Sequence, residues 1–255
     1  MKRVVTNQEP SFWDHLDELR TYLIRIVIVV LVGAIVAFTL KTEVFSVVLA
    51  PSKSDFITYQ LFSMFGEIED FNLQLINTEL TSQFAVHMQV SIIIGIICVS
   101  PYILYSIFAF VSPALYYNER KYAKLLIGAG YFMFMTGVAL SYFLIFPLTL
   151  RFLGDYQVSE EVKNIITLSS YIDTLTMLTL MLGIVFELPI LCVILGKLGI
   201  LTPEFMQEYR RHAIVIILII AAIITPTTDV MTLMVVSLPI YLLYEVSIFA
   251  VKSIR

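Results

Sequence analysis

Apolar runs, all but one long enough to cross a membrane, alternate with polar stretches along the chain. The runs fall at 22–40, 84–111, 125–146, 171–195, 213–226 and 231–251. The first carries no charge except Arg25 near its start, and at about 1.5 Å per residue it covers a hydrocarbon core of about 30 Å. Pro101 inside the second run predicts a kink, and Phe146-Pro147 predicts a stop or kink at the end of the third. The fifth run is uniformly apolar only over 213–224, about 18 Å at helical rise. Alone it reads as re-entrant or as a helix in a thinned bilayer. The turn Thr225-Pro226-Thr227-Thr228-Asp229 separates it from the sixth.

The polar stretches have patterns of their own. In residues 1–20, Phe12, Trp13, Leu16 and Leu19 fall at helical spacing, which predicts a helix lying in the interface with Trp13 at headgroup level. Segment 41–83 is rich in acids, and apolar residues recur over 56–65. Short helices on the outer membrane face are predicted there, with a break at Pro51.

Composition agrees with this pattern. The 255 residues are 59% hydrophobic and 14% charged, with mean hydropathy +0.89, far from a soluble chain and typical of an all-α integral membrane protein with six transmembrane helices. A net charge of −4 excludes nucleic acid as the natural partner. Cys98 and Cys192 both sit in apolar runs and read as small hydrophobes. Lys2 and Arg3 are followed by a polar stretch, not by a short apolar core with a cleavage site, so the first run is expected to remain as an anchor. Of the sixteen Lys and Arg residues, only Lys41, Lys53, Arg151 and Lys163 fall on the outer side of a six-crossing arrangement. That bias places both termini in the cytoplasm and makes the short fifth run a true crossing.

Candidate chemistry gathers on the cytoplasmic side. The connection 110–121 joins two apolar runs and carries Glu119 beside Arg120 and Lys121. The stretch Trp13-Asp14-His15-Leu16-Asp17-Glu18-Leu19-Arg20 precedes the first run on the same side. Taken alone, either Glu18 or Glu119 reads as a solvated acid, with Arg20 or Arg120 near enough for a surface pair worth about 0–1 kcal/mol. Together, beside aromatic residues, they read as an acidic site for a cationic peptide. A guanidinium in a partly desolvated carboxylate site gains charge-assisted bonds of about 1.5–3 kcal/mol each, in a planar fork that lysine cannot reproduce. Glu187 lies inside the fourth run, where an ionised acid costs roughly 2.5–3.5 kcal/mol. It is either functional or a protonated acid bonded to a neighbouring helix. Asp229 reads as a helix cap. His15, Asp17 and Glu18 lack the spacing of a metal site, and phosphate-loop and nucleophile-elbow motifs are absent. No cofactor or metal is called for.

The motifs together resemble the twin-arginine translocase subunit TatC family. They are His15-Leu-Asp-Glu-Leu-Arg20, Ala50-Pro51, Ser100-Pro101-Tyr-Ile-Leu-Tyr105, Ala109-Phe-Val-Ser-Pro113-Ala-Leu-Tyr116 with Asn118-Glu119-Arg120, Tyr142-Phe-Leu-Ile-Phe-Pro147, Phe186-Glu-Leu-Pro189, Thr225-Pro226 with Asp229, and Pro239 with Tyr241 and Glu245. They follow the family order over nearly the whole chain. The resemblance implies a concave six-helix receptor for twin-arginine signal peptides in the bacterial inner membrane, with short fifth and sixth helices, driven by the proton-motive force. Glu18 and Glu119 would contact the two arginines, with Phe110, Leu16 and Arg20 shaping the same site. Glu187 would be the buried acid on the concave side, and Pro51, Pro113 and Pro147 would be structural. Thr225, Pro226, Asp229 and Glu245 would lie where single-span TatA/TatB-type partners dock, and self-association is expected. The chain departs from the family in its long 41–83 segment, in Thr227-Thr228 after Thr225-Pro226, and in the apolar Leu233.

Two other readings come from the residues alone. A proton-coupled small-solute transporter using Glu187 lacks the inverted repeat and paired broken helices common in transporters. An intramembrane hydrolase lacks a nucleophile and base in any recognisable pattern.

Overall fold

The computed structural model describes residues 12–64, 73–111, 123–157, 159, 164–225 and 229–254. Among them, five helical stretches are long and apolar enough to cross a membrane: Leu16–Thr39, Ser82–Phe110, Leu125–Asp155, Leu168–Lys197 and Val230–Ser253. Helix α1 (Phe12–Thr39) is one uninterrupted element, so the polar start is the first turns of the first long helix and not a separate interfacial one. A row of its apolar residues, including Leu23, Val27, Leu31 and Ile35, is exposed, as a lipid-facing surface requires.

Two short helices follow, α2 (Lys41–Val48) and α3 (Ile57–Ser63), joined through a single 3-10 turn at Ala50–Ser52 that holds Pro51. Next come α4 (Ser82–Val111) and α5 (Ala123–Leu140). A π-helical segment, Ser141–Ile145, then leads into α6 (Phe146–Asp155). The fourth run is split into α7 (Leu168–Val185) and α8 (Leu188–Lys197). The chain closes with α9 (Pro203–Glu208), α10 (Arg210–Ile224) and α11 (Val230–Ile254). A two-residue parallel strand pair, Leu75–Ile76 with Ile166–Thr167, ties the two outer segments together.

Several expectations are corrected. Pro147 does not stop the third run, because the chain passes into α6 and stays helical to Asp155. The fourth run is interrupted two residues before Pro189. The fifth helix starts at Arg210 and has 15 residues, about 22 Å long. The last helix is not short, since its 25 residues reach about 37 Å.

Proline is tolerated here because the carbonyl it strips of a donor finds another. Proline at position i removes the amide that would bond the carbonyl of i−4. For Pro101 that carbonyl is Ile97 O, which accepts from the Ser100 hydroxyl at 2.7 Å. For Pro147 it is Phe143 O, which accepts from the Thr58 hydroxyl of α3. The neighbouring Tyr59 hydroxyl donates to Pro51 O at 3.0 Å and lies 3.4 Å from Pro147 O. Burial pushes the Tyr59 phenol well above its ordinary pKa, so it remains a donor. Two more tyrosines close the end of α2: Tyr142 donates to Val47 O at 2.6 Å and Tyr171 to Val48 O at 2.9 Å. These are the carbonyls a helix C-terminus leaves open.

The long helices meet through small residues. A Cβ on Gly95 of α4 would stand 2.7 Å from Ala34 N of α1, and one on Gly137 of α5 would stand 2.7 Å from Leu182 O of α7. Backbones approach this closely only where no side chain intervenes. Around these contacts a continuous core forms from Ile145, Phe146, Tyr171, Leu178, Leu182, Val236 and Ile240.

Replacing Thr58 by Val, which keeps the shape and removes the donor, is expected to destabilise the protein by about 1–3 kcal/mol, the cost of a buried unpaired carbonyl. Thr58→Ser should retain stability. Thermal unfolding in detergent checks both, and equal behaviour of the two variants would refute the assignment.

Candidate functional site

The helices order their ends by contact. α1 runs antiparallel to α4, with Tyr22 against Phe110 at one end and Phe38 against His87 at the other. α4 runs parallel to α7, with Ser82 bonded to Ser169 at 2.6 Å and Gln89 bonded to Thr176 at 3.0 Å. α8 meets α11 in parallel, Gly196 facing Val251. α10 is antiparallel to α11. The start of α1, the ends of α4, α8 and α11 and the start of α10 therefore share one face. That face carries Arg20, Arg25, Lys197, Arg210, Arg211 and Lys252, whereas Lys41, Lys53 and Arg151 lie at the other.

The Tyr22–Phe110 contact is the hinge of the site. The ring centroids are 6.5 Å apart at 70°, an edge-to-face arrangement. Glu18 lies one helical turn before Tyr22, on the same side of α1. Leu16, Glu18 and Arg20 are exposed and Phe110 is half-buried. These residues, far apart in sequence, are gathered at one face. Glu119 and Pro113 lie outside the described residues, in the connection between the end of α4 and the start of α5.

Glu187 occupies the break between α7 and α8. The chain tightens there, Glu187 N donating to Ile184 O at 3.0 Å, and the Glu187 carbonyl then accepts from the amides of Ile190 and Leu191 at 3.1 and 3.0 Å. Pro189 fits because a helix's first turn needs no amide from it. The expectation of a polar partner on a neighbouring helix is not met among the described residues. The carboxylate instead faces Gly130 of α5, where a Cβ would stand 3.1 Å from Oε2, and buried Oε1 has no hydrogen-bond partner there. The pattern Gly128-Ala-Gly130 in an apolar helix was the available signal for this space.

At the opposite end of α10, Thr225 is buried and its hydroxyl donates to Ala221 O at 2.8 Å. Asp229 caps α11 by accepting from Thr232 N at 2.6 Å, and it does so from a half-buried position. Pro226 lies outside the described residues. Glu245 is remote from this group, because α11 carries it to the other face. There its Oε2 bonds Arg210 at 2.9 Å and fastens α10 to α11. With the two residues 35 positions apart, no local pattern announces the pair. Among the described residues no three His, Cys, Asp or Glu side chains gather as metal ligands.

Such a bundle, spanning a membrane on several apolar helices and gathering a polar site at one end, is a multi-pass membrane protein. The family model described as Sec-independent protein translocase protein (TatC) matches residues 14–239. A TatC of Blattabacterium sp. subsp. Periplaneta americana is 35% identical over 252 residues, covering 94% of each chain. TatCy of Bacillus subtilis is 32% identical over 253 residues, covering 99% of this chain and 92% of that one. A crystal structure of the twin-arginine translocase receptor TatC superimposes with a TM-score of 0.78 at 34% identity, covering 93% of this chain and 98% of that one. The chain belongs to the TatC family.

The Arg210–Glu245 pair generates a prediction. Arg210→Met and Glu245→Leu should each lower thermal stability in detergent, and the double variant should lose less than their sum. The coupling is expected near 1 kcal/mol, the upper end for a half-exposed pair; strictly additive losses would show that the two side chains do not act together.

Proposed function

We propose that this chain is the receptor subunit of a twin-arginine protein translocase in the bacterial cytoplasmic membrane, crossing it six times with both termini in the cytoplasm. The bias of basic residues toward the face that holds the start of α1 supports this orientation. The observation that carries the reading is the Tyr22–Phe110 contact. It brings the helix bearing Glu18 against the helix that leads toward Glu119.

In this reading the two carboxylates receive the paired arginines of a signal peptide. Leu16 and Phe110 lower the local dielectric and Arg20 limits the net negative charge. Each guanidinium gains charge-assisted, forked bonds, whereas a lysine supplies a single-point ammonium. The peptide's apolar segment then contributes about 25 cal/mol for each Å² of apolar surface it buries. Export of the folded precursor is driven by the proton-motive force, and the chain forms no covalent intermediate.

The short α10 and the turn at Thr225, Pro226 and Asp229 are the proposed seat for single-span TatA/TatB-type helices, and copies of the chain self-associate. Glu245 serves that seat indirectly, through the bond that fixes α10. Glu187 presents an acid at membrane depth to whatever polar group a partner helix brings.

Peptide binding tests the reading. Glu18→Ala and Glu119→Ala should each weaken an Arg-Arg peptide by roughly tenfold or more, the worth of one charge-assisted bond, and a Lys-Lys peptide far less. Equal losses for the two peptides would refute arginine recognition. A photocrosslinker at position 119 should label the twin-arginine motif of a precursor and not its mature domain.

A further inference from the structure

A groove lies toward the outer end of the bundle, away from the Tyr22–Phe110 contact. It encloses about 310 Å³ between the end of α2 and helices α4, α5 and α7. Its wall is apolar, built largely from Val90, Ile94, Met135, Val138 and Leu175, with Thr176 at its polar rim. The Thr176 hydroxyl is already committed, donating to Ile172 O at 2.7 Å and accepting from Gln89.

One turn outward on α7 stands Asp173. Its Oδ1 accepts from Gln89 Nε2 at 3.0 Å, and the same Nε2 reaches Thr176 Oγ1 at 3.0 Å. Gln89 therefore links the carboxylate to the rim of the groove. Asp173 is exposed, and no ion pair is found for it among the described residues. A carboxylate in the outer turns of an apolar helix, served by one neutral amide, calls for a cation. A dry apolar groove beside it calls for a hydrocarbon chain, since water gains no bonds there.

We propose that this groove binds an aminophospholipid, with an acyl chain against α4, α5 and α7 and its primary ammonium on Asp173. The almost wholly apolar lining suits an acyl chain, which carries no polar group to satisfy along its length. The charge selects the headgroup. A primary ammonium donates hydrogen bonds to a carboxylate, a quaternary choline has none to donate, and a phosphoglycerol head brings only negative charge. The orientation proposed above assigns the lipid to the outer leaflet; the site itself does not depend on it.

Native mass spectrometry of the full chain in mild detergent tests this, with phosphatidylethanolamine, phosphatidylcholine and phosphatidylglycerol of identical acyl chains. The unaltered protein should retain the ethanolamine lipid roughly tenfold more than either other lipid. Asp173→Asn, which keeps the acceptor for Gln89, should reduce it to the choline level while leaving thermal unfolding and Arg-Arg peptide binding unchanged. A photoreactive ethanolamine lipid should label the 90–97 segment of α4, a readout that needs no variant. Equal retention of the three lipids, a preference that survives Asp173→Asn, or labelling confined to other segments would overturn the proposal. So would full displacement of the lipid by a lysine-bearing apolar helical peptide, which would make the groove a peptide site. Loss of Arg-Arg binding in Glu18→Ala with lipid selectivity intact would separate the two sites.

Discussion

In a hydrocarbon environment a backbone carbonyl without a donor has no water to turn to, and this chain interrupts its helices repeatedly. Everything else depends on how those interruptions are repaired. Ser100 supplies the donor that Pro101 removes, and Thr58 supplies the one that Pro147 removes. Tyr59, Tyr142 and Tyr171 cover Pro51 O, Val47 O and Val48 O at the end of α2. The long outer segment is thus more than a connection. Its short helix α3 is the part that lets the third long helix continue past a proline, and the same contacts fix the segment to the bundle.

With the outer end fixed, the helix contacts carry its geometry to the inner face. Gly95 against Ala34 and Gly137 against Leu182 leave no room for a side chain, so these pairs cannot slide without steric overlap. The antiparallel seam between α1 and α4 then determines what meets at its far end, and Tyr22 meets Phe110. A peptide site made from two distant stretches needs such a rigid seam, because misplacing either acid by an ångström or so forfeits the forked geometry.

Much of this was legible in the residues. The long apolar runs, the short fifth helix and a short helix within 56–65 follow from hydropathy and spacing alone. The gathering of Leu16, Glu18, Arg20 and Phe110 at one face follows from counting crossings. What escaped was nonlocal. Pro147 carries an intrinsic stop signal, and the Thr58 hydroxyl, 85 residues from the Phe143 carbonyl it bonds, cancels it. The Arg210–Glu245 bond joins residues 35 apart, so Glu245, grouped with Thr225 and Asp229 by the family resemblance, is carried by α11 to the opposite face. The break at Phe186-Glu187 was foreshadowed by Pro189, yet a proline does not say whether a helix bends or divides. The polar start divided from the first span on composition, but nothing in 12–22 breaks a helix, and the chain does not break there.

The acids in or near the apolar segments show how environment separates roles that sequence cannot. Glu245 has a guanidinium at 2.9 Å and is thereby consumed in holding two helices together. Asp173 has a neutral amide and an open side, which leaves its charge available to a headgroup. Glu187 has neither. It faces a glycine, with its own carbonyl engaged by two amides of the next helix, so the backbone around it is satisfied while the side chain is not. An acid left in that condition at membrane depth is costly to keep ionised. In the assembly proposed above, a partner helix that brings a polar group to Gly130 and Glu187 meets no competing bond to Oε1 among the described residues, and the division of the fourth helix at this point leaves the acid facing that glycine.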